Sequence, residues 1–444
     1  GGPQRSMRRS LSLIVLLCLV AFPARAQTML RDGDIENALR ALAAPVLAAA
    51  GLSTSRTRIV VLQDRQMNAF VLDREHIFLH SGLILRLKTA EQLQSVIAHE
   101  AAHIAGGHLS RRLQNIRTAK NVAGIGIALA MAAAASGNDG NAAAGLALGV
   151  RSSAERVLFG HTRAEESAAD AAGLAYLQRA GISPHGYADV LDLFKGQELI
   201  SSARQDPYSR THPLSRDRLN AVNAKIGALP RTAPDPTAAY WFARAQGKLS
   251  AFLSAPSATL RATGTAPGRD EITLLRQAVA YHRMADASRA RAAMDAAIAL
   301  RPQDAYLHEL KGQILLESRD AKGALAAYTT AARLAPRDTQ VLAGLGRAQL
   351  AGGAPKSAIT TLERARAADP SDPSALRDLA SAYAQTGQAG LASLATSERY
   401  ALSGRWKDAA INANRAAGLL PRGSSAWLRA QDVVSAAKTA QKRK

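Results

Sequence analysis

Pro302, Pro336 and Pro370 stand 34 residues apart, and a chain that repeats itself at that period has few folds open to it. The positions between them agree. Ala278, Gly312 and Gly346 fall at one small site, Ala290, Ala324 and Ala358 at a second, and Ala297, Ala331 and Ala365 at a third; Met294, Tyr328 and Leu362 supply one bulky residue per period. Small residues at fixed offsets let two helices approach closely, so each period predicts a helix–turn–helix unit. One such pair cannot bury its own apolar face, whereas stacked pairs share a core and leave a concave surface for extended partners. Pro421 lies 51 residues past Pro370, one and a half periods, which predicts an inserted helix or an irregular last repeat. These repeats imply protein binding and name no partner.

Chemistry is concentrated upstream, where eight of the ten histidines fall between residues 76 and 212. The segment from Thr89 to Gly107 contains His99-Glu100-Ala101-Ala102-His103. Histidines four apart on a helix project from one face and can share a small cation, while the glutamate between them can take a proton from an attacking water. Thr89 with Gln92 predicts a capping box at the helix start, and Gly106-Gly107 predicts its end. Leu93, Val96, Ile97, Ala101 and Ile104 form an apolar stripe of helical period, so the motif sits in a buried amphipathic helix.

A catalytic zinc takes three protein ligands and leaves one position open. A third histidine in the spacing H-E-x-x-H-x-x-G-x-x-H fails on register, because Leu109 occupies that position. The stretch from Thr162 to Asp170 offers a glutamate instead. Glu166 has an aspartate four residues on, Asp170, which can accept the free ring N–H of a zinc histidine. Glu165 is the rival, but Ala169 stands at its matching position, and Glu166 is the expected ligand. His212 lies ahead of Pro213, and three roles stay open for it. It can donate to a tetrahedral oxyanion, occupy the open zinc position, or cap Asp217 or a backbone group. Arg218 follows as an anchor for that segment or for substrate carbonyls; His108 and His161 read as supporting residues.

Taken together, H-E-x-x-H, then Arg163, Glu166, Ala169 and Asp170, then Thr211-His212-Pro213 with Arg218, resemble the HtpX and CAAX-endopeptidase family of zinc peptidases. Met67 to Phe70 and Ile77 to Gly82 are similar to that family's strand segments. Within it, the chain resembles the BepA-like branch, in which a secreted peptidase domain precedes tetratricopeptide repeats. The resemblance implies a periplasmic endopeptidase with one zinc ion per chain, held by His99, His103 and Glu166. Glu100 would be the general base, and His212 would act at the metal as a reversible latch. It also implies clients that are unfolded or stalled outer-membrane proteins, and repeats that meet the assembly machinery. The competing expectation is a chaperone-type binding module with a mostly latched zinc site, which has no reason to keep Glu100.

The start of the chain fits export. Met7-Arg8-Arg9, an apolar run from Leu11 to Phe22, and Ala24-Arg25-Ala26 read as a cleavable signal peptide after a short upstream extension. Cys18 is the only cysteine and falls inside that run, so the mature chain holds no disulfide. A formal net charge of +21 admits nucleic-acid binding, but the arginines are scattered, aromatic residues are few and no nucleic-acid motif is present. Attraction to acidic clients or to an anionic membrane surface fits better.

The expected fold is α+β and predominantly helical: a zincin-type peptidase domain with a small β-hairpin or sheet, then an all-α tetratricopeptide-repeat solenoid. We place the extension and signal at 1–26, the peptidase domain at 27–227, a linker with a bridging helix at 228–268, and the repeats at 269–444. Residues 28–52 read as a helix. Strands are expected at Thr57 to Leu62, Asn68 to Leu72 and Glu75 to His80, the last two as a hairpin. That hairpin either holds an extended substrate by strand addition or is purely structural. The Ala/Gly-rich stretch 121–150 is too short in each half to span a bilayer. It reads as a lid or membrane-surface contact, or as a plain buried helix pair. Ser254 to Gly268 reads as a loose connector.

Overall fold

The computed structural model describes residues 29–109 and 160–441. The expected signal segment and the 121–150 stretch lie outside the described residues. The first unit is built on a four-stranded sheet of β1 (Met29–Leu30), β2 (Arg58–Leu62), β3 (Ala69–Val71) and β4 (His76–His80), in the order β1-β2-β4-β3. β4 runs parallel to β2, from Arg58 opposite His76 to Leu62 opposite His80. β3 returns antiparallel to β4 and forms one edge; β1 pairs antiparallel with β2 and forms the other. The segment expected to be helical from residue 28 therefore starts as a strand. Asp32 turns the chain with extended backbone angles and accepts from Ile35 N at 2.8 Å, so helix α1 (Gly33–Ala49) begins only after it.

A short helix α2 (Ser81–Arg86) leads to α3 (Ala90–Ala105), the helix that carries the histidine pair. Thr89 caps α3 by accepting from Gln92 N at 3.2 Å. The predicted box is not reciprocal, because the Gln92 side chain reaches one residue further back and accepts from Lys88 N at 2.7 Å. Leu93, Val96 and Ile97 are fully buried, and each contributes about 1.5–3 kcal/mol. Among the described residues, four α-helices close the unit: α4 (Arg163–Arg179), α5 (His185–Leu193), α6 (Pro207–Thr211) and α7 (Arg216–Gly227). Gly186 lets α5 press on the start of α3, where an added Cβ would lie 2.9 Å from Gln92 N.

Helix α8 (Pro236–Leu253) joins this core through Phe242, Ala245 and Leu249. The stretch expected to be loose from Ser254 folds in part as α9 (Pro256–Thr263), with Thr259 buried. Ten helices follow as five pairs: α10 (Glu271–Arg283) with α11 (Ala287–Leu300), α12 (Ala305–Glu317) with α13 (Ala321–Leu334), α14 (Thr339–Ala351) with α15 (Pro355–Ala368), α16 (Pro373–Gln385) with α17 (Ala389–Leu402), and α18 (Trp406–Leu419) with α19 (Ser425–Gln441). Asp270, Asp304, Asp338 and Asp372 cap the first helix of the first four pairs, a second residue that keeps the 34-residue period. The repeated small sites are contact points. A Cβ on Gly312 would lie 2.7 Å from the Tyr328 ring, and one on Gly346 would lie 2.5 Å from Leu362 Cγ. No helix is inserted near Pro421. Gly404 takes the place of the inter-repeat proline, and Pro421 sits inside the last pair, between α18 and α19.

The repeats grip the beginning of α1. Arg244 of α8 pairs with Asp34 at 2.8 Å and Asp304 at 2.5 Å, and Lys248 pairs with Asp32 at 3.0 Å. Arg31 bonds Asp369 at 2.6 Å. Arg244 and Lys248 are each 1% exposed, so these are desolvated cations that only paired carboxylates make tolerable. No described helix is long and apolar enough to cross a membrane.

Candidate metal centre

Helices α3 and α4 pack against each other, and their facing residues make one buried group with His212. A ligand atom from each of His99, His103, Glu166 and His212 lies within 4.8 Å of the other three. His103 Nε2 is 2.9 Å from Glu166 Oε1, and His99 Nε2 is 3.2 Å from Glu166 Oε2. The two Nε2 atoms face each other at 3.1 Å. His212 caps the end of α6, and its Nε2 lies 3.1 Å from Glu100 Oε1. Tyr208 stacks on the His212 ring at 4.2 Å, and Thr211 Oγ1 meets its Nδ1 at 3.0 Å. Asp217 is not among these partners of His212.

A capping box sets the two glutamates of α4 apart. Thr162 Oγ1 accepts from Glu165 N at 3.1 Å while Glu165 Oε1 accepts from Thr162 N at 3.0 Å. Glu165 is thus held at the helix end, and Glu166, one residue on, faces the histidines. The threonine–glutamate spacing of such a box was present in the sequence and would have separated the two.

Supporting contacts orient each ring. Tyr187 of α5 donates to Asp170 Oδ1 at 2.7 Å, and its oxygen takes the His99 Nδ1 proton at 2.6 Å. Asp170 Oδ1 is itself 3.2 Å from His99 Nδ1. Nothing in the spacing of Tyr187 marked it, because α5 meets α3 only through the tertiary fold. His103 Nδ1 lies 2.8 Å from His108 Nδ1, and the His161 ring stacks on His103 at 3.4 Å. In each case the outer nitrogen is engaged and Nε2 faces the shared centre. Arg218 binds Asp170 through Nε at 2.7 Å and Nη2 at 2.8 Å, while its Nη1 donates to Pro213 O at 2.8 Å and pairs with Glu166 Oε2 at 2.9 Å. At 4% exposure it is a strut between α4 and the His212 segment.

The electrostatics ask for a cation. Both oxygens of Glu100, both of Glu166 and His212 Nε2 are buried without an aligned hydrogen bond. Burial works against charge on His99, yet Glu166 and Asp170 push its pKa up to about 10. Burial works against charge on Glu166 too, but His212 and His99 hold it well below the usual carboxylate range. His103 goes the other way, pulled to about 4 by burial. Two imidazoles and a carboxylate converging in a buried site, with the carboxylate oxygens met by ion pairs but by no aligned hydrogen bond, fit a divalent cation with nitrogen and oxygen ligands.

Comparisons with known proteins give a likeness for each part of the chain. Residues 30–226 match the model of Peptidase family M48, and residues 315–383 match a tetratricopeptide repeat model. The beta-barrel assembly-enhancing protease of Escherichia coli K12 is 25% identical over 363 residues, covering 78% of this chain and 71% of its own. A Vibrio cholerae relative is 25% identical over 220 residues, covering 50% of this chain and 45% of its own. A mitochondrial metalloendopeptidase of Schizosaccharomyces pombe is 26% identical over 184 residues, covering 40% and 49%. The chain thus spans between roughly half and 71% of the length of these relatives. It is similar to Peptidase family M48 over residues 30–226 and to tetratricopeptide repeats over residues 315–383.

Proposed function

We propose that the chain is a zinc-dependent endopeptidase of the periplasm that cleaves unfolded or misassembled outer-membrane proteins, with repeats that bind clients or their assembly machinery. The observation that carries this reading is the buried donor group of His99, His103, Glu166 and His212 with Glu100 beside it. His99, His103 and Glu166 would hold the ion. Zinc supplies Lewis acidity, polarising a peptide carbonyl and making water a nucleophile near neutral pH.

The protein's own residues do the rest. Glu100, one residue beyond His99, accepts a proton from the attacking water on a carboxylate oxygen. As the C–N bond breaks, that proton passes to the leaving nitrogen, and Glu100 returns to its ionised form. Asp170 and Tyr187 hold His99 with Nε2 inward, and Arg218 holds Asp170. His212, stacked on Tyr208, stands as a latch that shields the centre and sequesters Glu100 until a client arrives. Edge strand β3 offers one flank for an extended substrate, by strand addition. The relatives named for beta-barrel assembly support the client class.

The test is cleavage of β-casein as an unfolded substrate, with and without a chelator. The wild type should lose activity to the chelator and regain it with zinc. Glu100→Gln should keep its metal and lose about 100-fold or more of the rate. Activity near wild type in Glu100→Gln would overturn the hydrolase reading.

A further inference from the structure

Outside the metal centre, one cavity is built by both parts of the chain. It encloses about 400 Å³, within the range of about 300–1,000 Å³ that small ligands occupy. One wall is α1 and the approach to β2, with Arg31, Arg40, Thr57 and Arg58; the other is the repeat edge, with Arg337, Asp338 and Asp369. Four arginines face three carboxylates there, since Glu36 also lines it.

The carboxylates are already taken. Arg31 Nε holds Glu36 at 2.7 Å, and Arg31 and Arg58 together hold Asp369 at 2.6 and 3.0 Å. Asp338 caps α14 and accepts the Tyr306 hydroxyl at 2.6 Å. Positive donors are left over. Arg31 Nη1 is buried without a hydrogen-bond partner, on a side chain only 9% exposed. Among the described residues, Arg40 and Arg337 enter no ion pair, and their exposed guanidinium groups border the cavity. The apolar lining is limited to Ala43, Leu47, Ile59 and Ala368, which offers no slot for an acyl chain.

We propose that this inter-domain cavity is a docking site for an acidic peptide segment, whose carboxylates take the guanidinium groups of Arg40 and Arg337. Guanidinium binds a carboxylate as a fork, so the site selects Asp or Glu side chains over neutral ones. It is polar, its two unpaired guanidinium groups complement acidic side chains, and it belongs to a chain of net charge +21. An occupant touches both walls at once and ties repeats to peptidase domain. The proposal concerns binding alone and stands or falls apart from hydrolysis.

The experiment uses the full chain as Glu100→Gln, so that no probe is cleaved, and fluorescence anisotropy of a labelled hexaglutamate peptide, with hexaglutamine as the neutral comparison. Hexaglutamate should bind and hexaglutamine should not. Adding Arg40→Glu with Arg337→Glu should weaken binding about tenfold or more, because like charges oppose the peptide. The milder pair Arg40→Gln with Arg337→Gln should also weaken it, and serves if the charge reversal disturbs folding. Arg261→Glu with Arg422→Glu changes net charge equally away from the cavity and should leave binding within about twofold. Equal loss in both reversed pairs would reduce the effect to bulk charge and overturn the site. Displacement by inorganic phosphate at peptide-like concentrations would make it a small-anion pocket, and binding of phosphatidylglycerol vesicles through the same two arginines would make it a membrane contact; either result overturns the peptide assignment.

Discussion

Nε2 of His212 lies 3.1 Å from Oε1 of Glu100, inside the same buried group as His99, His103 and Glu166. One side chain thus lies within reach of both the grouped donor atoms and the carboxylate proposed as proton acceptor. His212→Ala should therefore raise cleavage of β-casein, by about tenfold if the closed state holds about nine-tenths of the molecules. Initial rates at equal metal content check this. A fall of about 100-fold with metal retained would assign His212 to the oxyanion instead.

Metal analysis separates the two neighbouring glutamates. Purified protein should contain about one zinc per chain, and Glu166→Ala or His103→Ala should lose it. Glu165→Ala should keep it and lose about 1 kcal/mol of stability, the worth of its capping box at the start of α4. Zinc lost from Glu165→Ala and retained in Glu166→Ala would reverse the assignment.

Tyr187→Phe removes only the hydroxyl between His99 Nδ1 and Asp170. Its metal affinity should drop about 10- to 100-fold, as measured by competition with a chromophoric chelator. Unchanged affinity would mean that Asp170, 3.2 Å from the same nitrogen, orients the ring without help.

What could be read from the chain before its fold follows the range of the interactions involved. The histidine pair, the glutamate on α4 and the 34-residue period are local or periodic patterns, and helices express such patterns directly. Strands β2, β3 and β4 were placed to within a residue, because alternation is a local pattern too. Tyr187 could not be read, because its role depends on α5 reaching α3 across 88 residues. The start of α1 was misread because Met29 and Leu30 pair with a strand some thirty residues later, and tertiary pairing overrode helical pattern. At Pro421 the proline moved into the turn within the last pair, and Gly404 with φ of 72° made the inter-repeat turn in its place.

The Arg31–Asp369 pair gives a pH signature. Burial raises Asp369, but Arg31 and Arg58 overcome this and hold its pKa below the usual aspartate value. A depressed folded-state pKa adds stability above the unfolded value of about 4, and that stability is lost as pH falls toward the folded value. Asp369→Asn should cost about 3 kcal/mol at pH 7, since Arg31 is 9% exposed and loses one buried partner. Thermal melts should show a constant gap between wild type and variant from pH 5 to 8, narrowing below about pH 4. A gap that widens in acid would contradict the pairing.

That same bond joins residues 338 positions apart, which orders the assembly of the molecule in time. Helix pairs form from near neighbours and close quickly, whereas a contact of this span waits for most of the chain to be made and pays its loop-closure entropy late. During synthesis Arg31 emerges early yet meets Asp369 only when three helix pairs have been made. The contact of the third helix pair with the start of α1 should then form late, and a chain truncated before Asp369 should keep the Asp32–Lys248 and Asp34–Arg244 pairs but leave Arg31 without its repeat partner.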